Sequence, residues 1–202
     1  MKPNEIHLTR ETLIMRVRKQ HDEAAWEEFD YYYRGYVHNI ARHMGLSHHD
    51  SEEVVQTVMM QLWKKLPEFE YDSRKGRFRG WLCTVTGNVT KTMLQQKSRD
   101  LDRLTPGEQE ELAGYLHEIK ATPSEEQAEQ EWMNYIITLA WKKVQEELGA
   151  NEKAAFEMVS QGTGVDEVSQ RLGITTSSVY VYKKRVTDRL KLEVAKLNEV
   201  LD

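Results

Sequence analysis

Apolar side chains recur at three- and four-residue steps along most of this chain. This spacing places them on one face of an α-helix, whereas a half-buried strand requires alternation of apolar and polar residues. The sequence contains no convincing alternation and no internal repeat. The chain is therefore predicted to be all-α. The first helical series comprises Trp26, Phe29, Tyr33, Tyr36, Val37, Ile40 and Met44.

Local residues mark the ends of the predicted helices. Gly45 is suited to the end of the first helix, and Ser47 followed by Asp50 has the pattern of a helix cap at the start of a second. The second helix is predicted to run to about Leu66, before Pro67. A polar turn follows, and then a third helix with its own apolar series. That series comprises Phe78, Trp81, Leu82, Val85, Val89 and Met93.

Acidic residues are concentrated in the middle of the chain. The net charge of −5 combines residues 1–99 (16 Lys/Arg, 13 Asp/Glu), residues 100–131 (2 and 10) and residues 132–202 (10 and 10). The middle segment has few apolar residues and contains two of the four prolines, which is typical of a linker. We predict two helical domains, 1–99 and 132–202, joined by an acidic linker, 100–131.

The segment from Val165 to Leu190 has the pattern of a helix-turn-helix. Gly173 permits a tight turn, and Thr175 is placed to cap the second helix. The face of that helix opposite the buried side carries hydroxyl and basic groups, which suit phosphates and base edges. An ordinary helical hairpin with a solvated basic face is the alternative. The predicted recognition residues are Thr176, Ser177, Ser178, Tyr180, Val181, Lys183, Lys184 and Arg185.

Three motifs in order carry a family resemblance. They are Asp-Ser-Glu-Glu-Val-Val-Gln-Thr-Val at 50–58, Gly-Arg-Phe-Arg-Gly-Trp-Leu at 76–82 with Asn88 beyond it, and Ser-Ser-Val-Tyr-Val at 177–181. The chain resembles the sigma-70 family, specifically the small extracytoplasmic-function (group IV) RNA polymerase sigma factors, over roughly residues 12–99 and 132–195. The resemblance implies a sigma region 2 bundle and a sigma region 4 helix-turn-helix.

The resemblance implies that the outer face of the second helix docks on the coiled coil of the polymerase's largest subunit. An exposed Met60 among charged residues favours a partner surface over a merely solvated face. The predicted core polymerase-binding residues are Asp50, Glu52, Glu53, Gln56, Thr57, Met60, Gln61 and Lys64.

The resemblance also implies that the third helix recognises and melts the promoter −10 element. Basic residues interleaved with aromatic ones suit single-stranded DNA, because bases stack while phosphates are neutralised. Phe78 and Trp81 also lie on the apolar stripe, so we expect them to be mainly core. Asn88 is the candidate for capture of an unstacked base. The predicted −10 DNA-binding residues are Arg74, Lys75, Arg77, Arg79, Trp81, Asn88, Lys91, Gln95, Gln96, Lys97 and Arg99.

The acidic linker also has an implied role. In the family it threads the polymerase channels that hold polyanionic nucleic acid, so an acidic occupant is expected, and a disordered spacer is the alternative. Without a partner, its charge favours a closed, DNA-incompetent arrangement against the domains. Thr57 stands where many relatives have an acidic residue, and a phosphate would restore about −1.5 to −2 charges. Thr57 is therefore a candidate phosphosite.

The sequence predicts no enzyme active site and no cofactor. It has no phosphate-cradling glycine loop and no nucleophile elbow, and Cys83 has no evident base partner. Adjacent His48 and His49 point in different directions without a surrounding ligand set, so no metal site is predicted. One cysteine, with no signal peptide or membrane span, predicts a cytoplasmic protein without membrane insertion.

These features predict a sigma factor whose partners are bacterial core RNA polymerase and promoter DNA. Its regulator is expected to be an anti-sigma factor or a kinase, and the free protein is expected to be a monomer. The alternative is a free-standing helix-turn-helix transcriptional regulator, which requires a symmetric dimer on symmetric sites. A helical enzyme with an appended DNA-binding domain is a third hypothesis. Such an enzyme would require a pocket with convergent titratable groups.

Overall fold

The computed structural model describes residues 13, 16–18, 22–68, 77–99 and 104–201. These residues contain helices and no strand, which confirms the all-α prediction. The helices are α1 (Glu23–His43), α2 (His48–Lys65), α3 (Phe78–Arg99), α4 (Pro106–Glu118), α5 (Glu125–Val144), α6 (Ala150–Ser160), α7 (Val165–Leu172) and α8 (Thr176–Leu201), with short 3₁₀ turns at Leu66–Glu68 and Gln145–Glu147. The chain divides into two compact units, Met1–Tyr135 with Leu201–Asp202, and Ile136–Val200.

Local capping fixes the turn between α1 and α2. Gly45 follows α1 with a φ of +97°, a left-handed conformation that favours glycine. The Ser47 side chain then accepts a hydrogen bond from the Asp50 backbone N–H at 3.1 Å and caps α2. The predicted helix end at Gly45 and the predicted cap at Ser47 are confirmed.

An aromatic core joins the first three helices. Phe29 on α1 is fully buried, and its ring lies 4.6 Å from that of Tyr33 and 5.9 Å from that of Phe78, measured between centroids. Leu62 of α2 and Leu82 of α3 complete this core, and both are almost fully buried. Burying such side chains is the main favourable term in folding, and so the inner faces of α1, α2 and α3 are fixed against each other.

The described part of the acidic segment, 104–131, contains α4 and the start of α5 and lies in the first compact unit. Lys120, after α4, donates its backbone N–H to the Met44 carbonyl oxygen at 2.8 Å. Trp132 on α5 is fully buried, and its ring lies 5.0 Å from that of Tyr36 between centroids. The compact units therefore divide within α5, whereas the charge pattern divides the chain at residues 100 and 132. The functional roles predicted for those three ranges stay predictions.

The second unit contains the predicted pair of helices and the turn between them. Gly173 ends α7 in the left-handed region, with φ +63° and ψ +34°. The Thr175 hydroxyl accepts a hydrogen bond from the Ser178 backbone N–H at 3.1 Å, so the predicted cap is present. Val168 of α7 and Val179 of α8 are fully buried in a small core, and this packing sets the angle between the two helices.

Candidate functional site

The outer face of α2 is a mixed polar and apolar surface. Val54 and Leu62 are buried on the inner face, so the residues offset from them face solvent. Met60 is 54% exposed, and Trp63, three positions later, is 39% exposed with its ring against Trp26. Of the predicted polymerase-binding residues, Glu53, Gln56, Met60 and Lys64 are exposed, and Glu52, Thr57 and Gln61 are partly exposed. Trp63 is not among the predicted polymerase-binding residues, although it lies one helical turn from Met60.

Asp50 departs from the predicted docking role. It is 3% exposed, and its carboxylate accepts hydrogen bonds from the Lys97 ammonium and the Tyr115 hydroxyl, both at 2.6 Å. Burial acts to raise the pKa of Asp50, but the hydrogen bonds from Lys97 and Tyr115 outweigh it, so the pKa lies below its usual value. Asp50 therefore joins α2, α3 and α4 instead of facing a partner. Lys97, predicted to contact DNA, is its partly buried ion-pair partner.

A groove of about 260 Å³ separates the outer parts of α2 and α3. Thr57 and Gln61 line it from α2, and Asn88 and Gln96 line it from α3. The groove thus brings predicted polymerase-binding residues next to predicted −10 DNA-binding residues. Asn88 and Gln96 are exposed on α3, together with three more of the predicted DNA contacts, Lys91, Gln95 and Arg99. Arg74 and Lys75 lie outside the described residues.

Arg79 also departs from its predicted role. Its side chain is 4% exposed, and both its Nε and Nη2 donate to the Glu129 carboxylate at 2.6–3.0 Å. Its guanidinium lies 5.5 Å from the ring centroid of Trp132. A planar donor group that is buried against a carboxylate and an aromatic ring does not face DNA. Arg77 is exposed and also donates to Glu129, at 3.3 Å.

The two aromatic residues at the start of α3 have different environments. Phe78 is 1% exposed, as expected for a core residue. Trp81 is partly exposed, with its ring 5.3 Å from that of Phe78 between centroids. Trp81 therefore combines a packing contact with an accessible edge, which keeps it a candidate for stacking on a base.

A cluster of imidazole and carboxylate groups lies where α1 passes the start of α2. The Nε2 atom of His38 lies 3.3 Å from Nδ1 of His48 and 3.5 Å from a carboxylate oxygen of Glu52. Burial and the neighbouring His48 and Arg42 lower the pKa of His38, and Glu52 only partly offsets this. His38 could not be paired with His48 from the sequence, because this contact crosses the turn between two helices. His38 and Glu52 do surround His48, contrary to the expectation that no ligand set lies there, and the absence of a metal site stays a prediction.

The exposed face of α8 carries the predicted recognition residues. Tyr180 is 62% exposed and Val181 52% exposed. Lys184 lines a shallow groove of about 570 Å³ on this helix. Arg185 donates to Glu152 at 3.3 Å. The full set divides into exposed residues, Ser177, Tyr180, Val181, Lys183, Lys184 and Arg185, and partly exposed ones, Thr176 and Ser178.

One part of this fold matches a known protein family. Residues 31–100, which run from within α1 to the end of α3, match the family model described as Sigma-70 region 2. The α1–α3 bundle is similar to sigma-70 region 2. The outer face of α2, the groove and the polar face of α3 all lie within this region 2 match.

Other comparisons are more distant. No curated protein sequence matches the chain significantly. Among solved structures, "Structure of CnrH in complex with the cytosolic domain of CnrY" covers 93% of this chain and 98% of its own, at 17% identity and a TM-score of 0.35. A likeness of this degree supports no inference about fold or function. Among the described helices, none has both the length and the hydrophobicity that a membrane crossing requires.

Proposed function

We propose that this protein is a sigma factor of the compact extracytoplasmic-function type, which directs core RNA polymerase to promoters and is not itself an enzyme. The observation that carries the proposal is the region 2 match over residues 31–100, together with the exposed face of α2 inside it. Catalysis in this scheme belongs to the polymerase. The protein contributes docking, promoter recognition and DNA melting.

The outer face of α2 is proposed to dock on the polymerase. Met60 and Trp63 give it exposed apolar area, and Glu53, Gln56 and Lys64 surround that area with polar groups. An apolar centre with a polar rim is the usual composition of a protein interface. The buried Asp50 supports this face indirectly, since it holds the start of α2 against α3 and α4.

The groove beside this face is proposed to hold DNA at the −10 element. Asn88 offers a donor and acceptor pair at the groove wall, and Lys91 and Arg99 provide exposed cations along the same helix. A site that accepts an unstacked base favours separated strands over duplex. This difference in affinity is what drives melting, because a ligand shifts an equilibrium only by its preference for one state.

The exposed face of α8 is proposed to recognise the −35 element. Lys184 and the hydroxyl groups at the start of the helix suit phosphates, and Tyr180 and Val181 offer apolar contact to thymine methyl groups. Promoter DNA and core polymerase are thus the proposed partners. An anti-sigma factor or a kinase is the proposed regulator.

The docking proposal is tested by capture of purified core RNA polymerase on the full-length protein. The test variant combines Glu53→Ala, Gln56→Ala and Met60→Ala. The control combines Glu27→Ala and Tyr31→Ala, which remove an exposed acid and an exposed large side chain from α1. We expect stoichiometric capture by the parent and the control, and its loss in the test variant. Failure of the parent to capture polymerase contradicts the proposal and favours a free-standing regulator.

Thr57 is proposed as a phosphorylation site that strengthens docking. It is partly exposed at the groove wall, and Glu53 lies one turn earlier on the same face, so a phosphate would extend an acidic surface. We expect Thr57→Glu to raise promoter-directed transcription above Thr57→Ala in a purified system with core polymerase. Thr84→Glu, which adds the same charge at an exposed threonine of α3, serves as the control. Equal transcription from the two Thr57 variants contradicts the proposal.

A further inference from the structure

The contact between α1 and the start of α2 assembles three potential metal ligands. His48 and Glu52 are four residues apart on α2, so their side chains lie on the same face of the helix. His38 reaches this face from α1. One ligand atom from each of the three lies within 4.8 Å of the other two. The packing of the core does not use this arrangement, and of the three residues only Glu52 belongs to the predicted docking set.

The distances match the edges of a metal coordination polyhedron. Zinc bonds of roughly 2.0–2.1 Å to nitrogen or oxygen in a tetrahedral site place neighbouring ligand atoms about 3.3 Å apart. The His38 Nε2 to His48 Nδ1 distance is 3.3 Å, and the His38 Nε2 to Glu52 Oε1 distance is 3.5 Å. Two of the three separations are therefore close to the tetrahedral value before any ion is added, and the third, between His48 and Glu52, is within 4.8 Å.

The Nε2 atom of His38 faces both of the other potential ligands. In a neutral imidazole each ring nitrogen is either a donor or an acceptor. The Nε2 of His38 has both the His48 nitrogen and the Glu52 oxygen within 3.5 Å, and as a donor it has a single proton for these two acceptors. A cation bound between the three atoms uses a lone pair from each. The geometry is thus compatible with a cation shared by all three residues.

The donor set defines the class of cation. Two imidazole nitrogens and one carboxylate oxygen are typical ligands of Zn²⁺ and of neighbouring transition metals, whereas Ca²⁺ and Mg²⁺ require mainly oxygen ligands. His48 is exposed, and His38 and Glu52 are partly exposed, so an ion can enter from solvent. Three protein ligands leave a fourth position for water or for an outside ligand.

A second cluster nearby is less suited to a metal. His49, Asp50 and Glu53 also offer ligand atoms within 4.8 Å of one another. Asp50, however, is buried and already accepts hydrogen bonds from Lys97 and Tyr115. Binding an ion there would break the contacts that join α2 to α3 and α4. His49 therefore provides a matched control for His48, its sequence neighbour.

We propose that His38, His48 and Glu52 bind one transition-metal dication of the Zn²⁺ class. The bound ion links α1 to the first turn of α2. Glu52 belongs to the predicted polymerase-binding set, so metal occupancy also withdraws one carboxylate from that surface. This last consequence rests on the proposed function, whereas the metal site itself does not.

Zn²⁺ titration of the untagged, full-length protein against a chromophoric chelator tests the proposal. We expect one equivalent of Zn²⁺ to bind, with Co²⁺ giving the visible absorption of a tetrahedral site. His48→Ala and Glu52→Gln should each weaken binding by more than about 100-fold, because loss of an outer-shell partner alone already costs roughly 10–100-fold. His49→Ala should leave the affinity unchanged.

The exposed position of His48 keeps this test independent of folding. His38→Ala is expected to match His48→Ala, with helix content checked by circular dichroism, and where it unfolds the other two variants decide the result. Absence of stoichiometric Zn²⁺ binding by the parent overturns the proposal. So does equal weakening by His49→Ala and His48→Ala. Neither polymerase nor DNA enters the assay, and a negative result therefore leaves the proposed function intact.

Discussion

At the scale of single residues, the buried carboxylate of Asp50 stabilises the packing of α2 against α3 and α4, and so supports the outer face of α2 without being exposed on it. Its oxygens accept hydrogen bonds from Lys97 and Tyr115, which come from two different helices. Hydrogen bonds to a charged group contribute about 1.5–3 kcal/mol each when measured by mutation. We expect Asp50→Asn to lower the free energy of unfolding by about 2 kcal/mol at pH 7 in urea denaturation. Asp188→Asn, at an exposed aspartate of α8, should have little effect.

The same residue predicts a pH dependence. The pKa of Asp50 is lower in the folded protein than in the unfolded chain, so its contribution is fully present above the unfolded value of about 3.9. That contribution is lost as pH falls through the lower folded pKa. In urea denaturation, the free energy of unfolding of the parent should therefore fall more steeply below about pH 4 than that of the Asp50→Asn variant. Parallel curves for the two proteins would show that Asp50 does not carry this dependence.

At the scale of helices and segments, the packing of residues 119–123 on α3 depends on Gly87. A Cβ added to Gly87 would lie 2.4 Å from two side-chain atoms of Thr122 and 2.9 Å from its Cβ. Because even the Cβ of Thr122 would be this close, a change of its rotamer does not relieve the contact, and the segment must shift. We expect Gly87→Ala to cost about 1–3 kcal/mol and to increase proteolysis within this segment.

Gly80→Ala is the control on the same helix. A Cβ at Gly80 meets nothing within 4 Å. Alanine should there stabilise α3 by about 0.5–1 kcal/mol, through its better helix propensity. Equal stability of the Gly80→Ala and Gly87→Ala proteins would contradict the close approach of Thr122.

The predicted recognition helix makes a separate prediction at this scale. Lys184 is exposed on the groove face of α8, and Lys191 is exposed further along the same helix. If Lys184 contacts one phosphate, Lys184→Ala should weaken promoter binding by the polymerase complex and lower the salt slope by about 0.9. Lys191→Ala should leave both unchanged. Filter binding at several salt concentrations measures the slope, and an unaltered slope for Lys184→Ala would remove it from the contact set.

The helices could be predicted because their ends are determined by residues close to them in the sequence. Gly45, Ser47, Gly173 and Thr175 act within a few positions of themselves, and the structure uses each as the sequence indicates. The packing of the acidic segment could not be predicted in this way. The Arg79–Glu129 pair joins residues 50 positions apart, and the Asp50–Tyr115 bond joins residues 65 apart. Sequence patterns within a helix carry no information on such partners.

At the scale of the whole molecule, the proposed function predicts a second state for the acidic segment, with partners that differ from those in the described structure. In the described structure Glu129 holds Arg79, and Glu131 contacts His43 at 3.0 Å, so this part of the segment is bound to the unit that carries the region 2 match. In the complex with polymerase that the family resemblance implies, the same acids are expected to lie in a channel that otherwise holds nucleic acid. Such an exchange would require the Glu129–Arg79 contacts to break, so we expect docking and release of the segment to be coupled at Glu129.

The oligomeric state distinguishes the proposed sigma factor from the alternative, a free-standing helix-turn-helix regulator. A regulator that binds symmetric sites needs a two-fold interface, and recognition residues must then appear twice at one helical turn, about 34–36 Å apart. A sigma factor recognises two different elements with two different surfaces, which we propose to be α3 and α8 in this chain, and needs no second copy. We expect light scattering to give the mass of one chain at micromolar concentration, and footprints with polymerase to cover an asymmetric two-part promoter. A stable dimer that protects a palindrome without polymerase would instead assign α8 to a free-standing regulator, and the exposed face of α2 would then be its candidate dimer surface.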